Sequence, residues 1–265
     1  MAIPELPPFS RFRKSWARRT SSHFRVAIEG TSITYCYIRK NGCSAFKRLM
    51  LDLAGYSGPW DDGLGVMRKN FAVSSINEAR DADWRVYVYR DPFSRAVSLF
   101  RNKMIMTDGA GDLLRDFAEV TGSDPADATF STFVRDYLDG QATDPHAWSQ
   151  ISHVLPMDYN VICTLDTLGA KMTDVLGAEV AGKYFVRRAN ASSRRLFDKP
   201  SADVPVRELR ERYTASQEMP SDDAFATESL RRIIQNRYCD DYALSPNRQA
   251  GRRDLSARIT RPATA

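Results

Sequence analysis

A β-branched and aromatic run, Ile33 to Ile38, breaks at a turn containing Gly42. It passes at once into a helical pattern with Phe46, Leu49, Met50 and Leu53 at helical spacing. A strand that ends in a tight glycine turn and feeds a helix points backbone N–H groups, and the positive end of a helix dipole, at one spot. Lys40 and Lys47 flank this turn and Ser44 adds a hydroxyl, so Lys40-Asn41-Gly42-Cys43-Ser44-Ala45 reads as an anion cradle. An ordinary strand–turn–helix junction that happens to hold two lysines is the competing reading. The Walker pattern G-x-x-x-x-G-K-[ST] is not satisfied, which argues against a nucleoside triphosphate.

The rest of the chain alternates strands with helices around this junction. Phe24–Ile28 and Ile33–Ile38 are expected to form a β-hairpin about residues 29–32, and 44–54 the first core helix. Trp84–Tyr89 reads as a strand, followed by a helix with Asp91 as N-cap, Pro92 at its first position, and Phe93, Ala96, Val97, Phe100 and Met104 on one face. Helices are expected over 112–121, 129–139, 167–176, 206–213 and 224–238, a third strand over 161–165, and a polar loop over 187–203. Gly55–Gly65, with Pro59, Asp61, Asp62 and Gly63, is expected to be a loop, and residues 66–83 give no clear pattern. This order favours a mostly parallel α/β sheet, whose ligands sit beyond the carboxyl ends of strands, where Lys40 and Arg90 both fall.

Composition excludes several classes. With 265 residues, 43% of them hydrophobic, the chain can bury a sizeable core. The net charge of +5 resides in the ends: residues 1–25 carry +5 and 245–265 carry +4, leaving −4 on the remainder. A nucleic-acid binder is expected to carry its basic stripe on the fold itself, so nucleic acid is not the expected partner. The organisation expected is a basic arm at 1–22, one domain at 23–244 and a basic, disordered tail at 245–265, with peripheral contact to anionic lipid open to the two ends. No stretch approaches the roughly 20 apolar residues of a membrane span, and no signal peptide is evident. Cys36, Cys43, Cys163 and Cys239 lack C-x-x-C spacing; neither a disulfide framework nor a structural metal is expected, and a cytoplasmic location is. The oligomeric state is not legible.

A second anion candidate is Arg90-Asp-Pro-Phe-Ser-Arg-Ala-Val-Ser98. A guanidinium fork directly after a strand, with a hydroxyl about two turns into the next helix, suits a terminal phosphate that is held but does not react. Arg90 paired with a carboxylate and Ser98 facing solvent is the alternative.

These residues carry a resemblance. Cys36-Tyr-Ile-Arg-Lys-Asn-Gly-Cys-Ser-Ala-Phe-Lys47 and Tyr89-Arg-Asp-Pro-Phe-Ser-Arg-Ala-Val-Ser-Leu-Phe-Arg-Asn-Lys103 are similar to the two cofactor motifs of the carbohydrate sulfotransferases, the Golgi-type family 2 group. The second motif is matched throughout; in the first, Arg39 stands where that family has proline. Asp144-Pro-His146-Ala-Trp148-Ser-Gln150, Tyr159–Leu168, Asn190-Ala-Ser192 and Tyr238–Leu244 resemble later family blocks, whereas 55–80 and 105–143 resemble nothing identifiable.

The resemblance implies a P-loop NTPase-like three-layer fold and a 3′-phosphoadenosine 5′-phosphosulfate donor, with no metal. It further implies in-line transfer of a sulfuryl group to a hydroxyl of a saccharide or glycoconjugate. Lys40 would stabilise the leaving 5′-phosphate oxygen. Asn41, Gly42, Cys43, Ser44, Ala45 and Lys47 would line the cradle, although Lys47 could equally only pack. Arg90 and Ser98 would hold the 3′-phosphate, and Asn190 and Ser192 would close over the donor. His146 is the implied general base, with Asp144 or Glu78 as carboxylate alternatives or a purely structural His146. A P-loop-type kinase would need Gly-Lys-Ser/Thr and a Walker-B carboxylate. A non-catalytic anion- or partner-binding member of the fold would lose Lys40 or the base. Both remain alternatives to the transferase.

Overall fold

The computed structural model describes residues 22–140, 142–186 and 195–246. Asn190 and Ser192, and all but the last residue of the arm and the first two of the tail, lie outside the described residues. β1 (His23–Ile28) and β2 (Thr31–Cys36) pair antiparallel, with Phe24 opposite Tyr35 and Val26 opposite Ile33. Their turn is the two-residue Glu29-Gly30, at φ +48° and +82°, shorter than the four residues expected. Two consecutive positive-φ residues match the right-handed twist of the flanking strands. After β2 come α1 (Cys43–Leu53), a 3₁₀ turn at Trp60–Asp62, α2 (Gly63–Phe71) and α3 (Ile76–Arg80). β3 (Trp84–Tyr89) then pairs parallel with β2, Tyr35 opposite Val86.

α4 (Pro92–Leu99) runs into a π-helical turn at Phe100–Ile105, and α5 spans Gly111–Thr121. The short α6 (Phe130–Thr132) continues into a second π turn at Phe133–Leu138. β4 (Val161–Thr164) precedes α7 (Leu168–Ala181), which kinks where Gly177 takes φ +78° and ends in a π turn at Gly182–Val186. β5 (Arg195–Phe197), α8 (Val206–Ser216), β6 (Glu218–Pro220), α9 (Glu228–Arg237) and α10 (Cys239–Ala243) complete the described chain. β5 and β6 pair parallel, so part of the expected polar loop at 187–203 is strand. The expected helix at 224–238 begins at Glu228, because the Thr227 side chain caps it by accepting from the Leu230 amide.

The four-stranded sheet has the order β1-β2-β3-β4 and is mostly parallel, with β1 antiparallel at one edge. The chain divides into two compact units. One comprises 22–38, 42–88 and 150–186; the other comprises 39–41, 89–149 and 195–246. The first unit holds the sheet and packs Phe24, Ile33, Tyr35, Phe46, Met50, Val86, Val88, Met172 and Phe185 into one core. Tyr35 stacks on Phe46 with ring centroids 3.6 Å apart, which presses the first helix onto the sheet. Cys36 and Cys163 are buried within this unit, as expected of its strands.

The second unit is centred on Phe100, which meets Phe130, Phe133 and Phe225 at 5.3–5.5 Å. Each fully buried phenylalanine contributes about 2–3 kcal/mol by removal from water. That core fixes α4, which carries Arg95 and Ser98, against α6 and α9.

Candidate active site

Parallel pairing of β2 with β3 brings their carboxyl ends to the same end of the sheet. Gly42 is the N-cap of α1, at φ +76° in the left-handed region, and no side chain caps the helix. A Cβ there would lie 2.9 Å from Leu165 Cδ2 and 3.3 Å from Leu168 Cδ2, so both backbone and space demand glycine. The Ala45 amide donates to the Gly42 carbonyl at 3.1 Å, which takes one of the expected cradle amides into the turn. Those of Cys43 and Ser44 remain at the mouth of the uncapped helix.

Lys47 points elsewhere. It is buried, its ammonium donates to the Trp60 carbonyl, and it sits 4.2 Å from the Trp60 ring centre. Burial pushes its pKa down, against the opposing pull of Asp61 and Asp62.

The second unit holds the turn before Gly42. Lys40 takes φ +70°, a left-handed conformation uncommon for a residue with a side chain. Its carbonyl accepts from Arg90 Nη1 at 2.8 Å, and the Arg39 carbonyl accepts from Arg95 Nε at 3.2 Å. Because these peptides are trans, the amides of Lys40 and Asn41 point away from the two arginines. Asn41 is fully buried. Arg90 is half-buried and its pKa is pushed down to about 10, chiefly by desolvation, with Arg101 and Arg95 adding repulsion and Asp222 and Asp91 opposing. It stays charged at neutrality. Ser98, half-buried, lies in the last turn of α4, two turns after Arg90.

His146 lies in the same unit. Its Nδ1 is 2.7 Å from Asp144 Oδ1, the oxygen that also accepts the His146 amide at 2.7 Å. Since a carboxylate only accepts, Nδ1 carries the proton and Nε2 presents a lone pair. Burial lowers the His146 pKa, Asp144 opposes it, and the positive charges of Arg39 and Lys103 lower it further, so the ring is neutral at pH 7. For Asp144, burial works against ionisation, but the hydrogen bond and charge of His146 hold its carboxyl below the ordinary value. The ring lines a cleft with Pro92, Arg95, Ala96, Leu99, Leu138 and Tyr238. A neutral imidazole with an oriented Nδ1–H and an open Nε2 is the apparatus of a general base.

The other candidates belong to the first unit. Glu78 takes the amide and hydroxyl of Ser74, both at 2.7 Å, and serves as a local cap in the first unit. His23 opens β1 fully buried, with Nε2 2.7 Å from Tyr159 OH. Gln150 is buried and takes the Tyr87 hydroxyl at 3.3 Å.

Two residues to which the sequence alone gave no role organise the site. Arg95, 4% exposed, donates to the carbonyls of Arg39, His146 (3.1 Å) and Trp148 (2.8 Å). Asp116 accepts the amides of Thr143 (3.0 Å) and Asp144 (3.1 Å) and the Tyr137 hydroxyl (2.7 Å). The available signal for Arg95 was its place inside the second motif, Tyr89–Lys103. Asp116 stands in a region with no family likeness and gave none.

The chain is similar to several known proteins. Over 89 residues the chain is 30% identical to rat carbohydrate sulfotransferase 11, covering 29% of this chain and 25% of that protein. To carbohydrate sulfotransferase 12 of Xenopus laevis it is 27% identical over 187 residues, 52% of this chain and 44% of the relative. To human carbohydrate sulfotransferase 14 it is 26% identical over 179 residues, 60% and 47%. The chain thus spans less than half the length of these relatives. No solved structure matches it. The Sulfotransferase family matches across residues 22–244, a span that takes in the Lys40 turn, Arg90, Ser98 and the His146 loop, and the chain belongs to that family.

Proposed function

We propose that the protein moves a sulfuryl group from 3′-phosphoadenosine 5′-phosphosulfate to a hydroxyl of a saccharide or glycoconjugate, on a P-loop-like α/β framework. The observation that carries this reading is that Arg90 and Arg95 grip the carbonyls of the Lys40 turn, while Arg95 also grips the His146 loop. Residues for a leaving phosphate, a second phosphate and an acceptor proton are thereby tied together within one unit. The names of the similar proteins supply the saccharide; the four free cysteines support a reducing, cytoplasmic setting.

The chemistry follows from charge development. As the acceptor oxygen bonds to sulfur, the bond from sulfur to the 5′-phosphate oxygen breaks and negative charge grows on that oxygen. Lys40 and the α1 N-terminus meet that charge, a stabilisation that acts chiefly in the transition state. His146 Nε2 takes the hydroxyl proton, and Asp144 stabilises the resulting imidazolium. Arg90 and Ser98 hold the 3′-phosphate without reacting. The products are the sulfated acceptor, adenosine 3′,5′-bisphosphate and a proton released from His146.

Calorimetry with adenosine 3′,5′-bisphosphate tests the reading. Binding is expected near micromolar Kd, about −8 kcal/mol, and weaker in Ser98→Ala. Folded protein that takes up no bisphosphate contradicts it.

A further inference from the structure

The His146 loop has an unusual property. Its three successive carbonyls are all taken by side chains from elsewhere in the second unit. His146 O accepts from Arg95 Nη2 at 3.1 Å, Ala147 O from Tyr238 OH at 2.7 Å, and Trp148 O from Arg95 Nη1 at 2.8 Å. Its amide side is held as well, through Asp116 at Thr143 and Asp144 and through Asp144 at His146. The Trp148 indole N–H closes the loop by donating to the Thr143 carbonyl at 2.9 Å. Regular structure would satisfy these groups by a ladder; here buried side chains do it one by one, which fixes where the ring sits.

We propose that Arg95 and Tyr238 are positioning residues that keep His146 in the Nδ1–H tautomer, facing Asp144, and in register with the Lys40 turn. The inference rests on the sulfotransferase reading for its meaning in catalysis, but its geometry stands on the contacts alone. Arg95 is suited to the task because its planar fork spans two carbonyls with Nη1 and Nη2 while Nε reaches the Arg39 carbonyl. A lysine supplies the charge without the fork. Tyr238 contributes one donor from the far end of the chain, and both side chains line the cleft that the imidazole faces. Neither is assigned contact with the donor or the acceptor; they act through the loop.

The test is ring-nitrogen NMR on histidine-labelled protein at pH 7.5, with His146 assigned by its loss in His146→Asn. The wild-type protein is expected to show one tautomer, Nδ1 protonated and Nε2 bare. Arg95→Lys and Tyr238→Phe are expected to show mixed tautomers at His146 and unchanged signals at His23 and His153. Should Arg95→Lys fail to fold, Tyr238→Phe, which deletes a single oxygen, decides the matter alone. A wild-type ring protonated at Nε2, or folded variants that keep the wild-type pattern, overturns the proposal.

Turnover with labelled donor on a pool of unsulfated oligosaccharides is expected to fall about tenfold in Arg95→Lys with donor KM within about threefold, the mark of an interaction lost in the transition state. A folded Arg95→Lys with wild-type kcat also overturns the proposal. Absence of transfer by the wild-type protein counts against the proposed function instead, and the nitrogen pattern then decides the positioning role by itself.

Discussion

The two parallel strands β2 and β3 each run into a helix, and the two junctions are finished in opposite ways. After β3, Asp91 caps α4 by accepting the Ser94 amide at 2.9 Å, and Pro92 fills the first helical position, where no N–H is needed. After β2, the cap of α1 is a left-handed glycine with no side-chain acceptor, and the first turn holds no acidic residue. One helix start is satisfied by its own sequence; the other has no side-chain cap. The α4 junction carries Arg90, Arg95 and Ser98, whereas the α1 junction leaves the Cys43 and Ser44 amides without a side-chain cap.

Substitutions can break that contrast, beginning with the largest effect. Lys40→Ala removes the cation proposed to meet the leaving charge and is expected to lower kcat about 100- to 1000-fold, the scale seen for loss of one preorganised donor. Bisphosphate affinity should change far less. Steady-state turnover beside calorimetry separates the two.

Asp144→Asn should come next. The amide cannot hold the Nδ1–H tautomer as a carboxylate does, so kcat drops by an estimated ~100-fold or more. The pH profile sharpens this point. Because the His146 pKa lies below its ordinary value, the acid limb of kcat in the wild-type protein is expected below pH 6.5. Asp144 is a group that raises that pKa, so the limb of Asp144→Asn moves lower still.

Gly42→Ala forces a Cβ into the left-handed region and against Leu165, with an expected loss of about 1–2 kcal/mol in stability and weaker bisphosphate binding. Urea unfolding and calorimetry measure both. Asp91→Ala, at the capped junction, is the control. It should cost about 1 kcal/mol of stability and leave bisphosphate affinity within about twofold.

The open junction could be read from the chain because its determinants are local: a β-branched run, a glycine and a helical stripe within 20 or so residues. The capped junction was equally legible from Asp91-Pro92. Residues 66–83 were not, and the loop expected at 55–65 becomes helical from Trp60, since α2 and α3 bury only a few side chains, Met67 and Ala79 among them, too few to print a period. Three-residue strands such as β5 and β6 carry no alternation to detect.

Within the site, Lys40 and Arg90 could be read from their places after strands and His146 from motif likeness, but what joins them could not. Arg95 works by reaching carbonyls of residues 39, 146 and 148, and carbonyls are the same in every residue, so no sequence signal marks them. Lys47 shows the converse. Its place at the helix start resembled a phosphate ligand, yet the nearby Trp60 carbonyl and ring hold the ammonium.

The most direct test of the two-junction account is calorimetry comparing adenosine 3′,5′-bisphosphate with adenosine 5′-monophosphate, on the wild-type protein and on Arg90→Ala. Two anion sites predict that the wild-type protein prefers the bisphosphate by about 100-fold, the worth of a charge-assisted fork to the added phosphate. Arg90→Ala should erase that preference while still binding the monophosphate. Equal affinity for both nucleotides in the wild-type protein, or a preference that survives in Arg90→Ala, would contradict it.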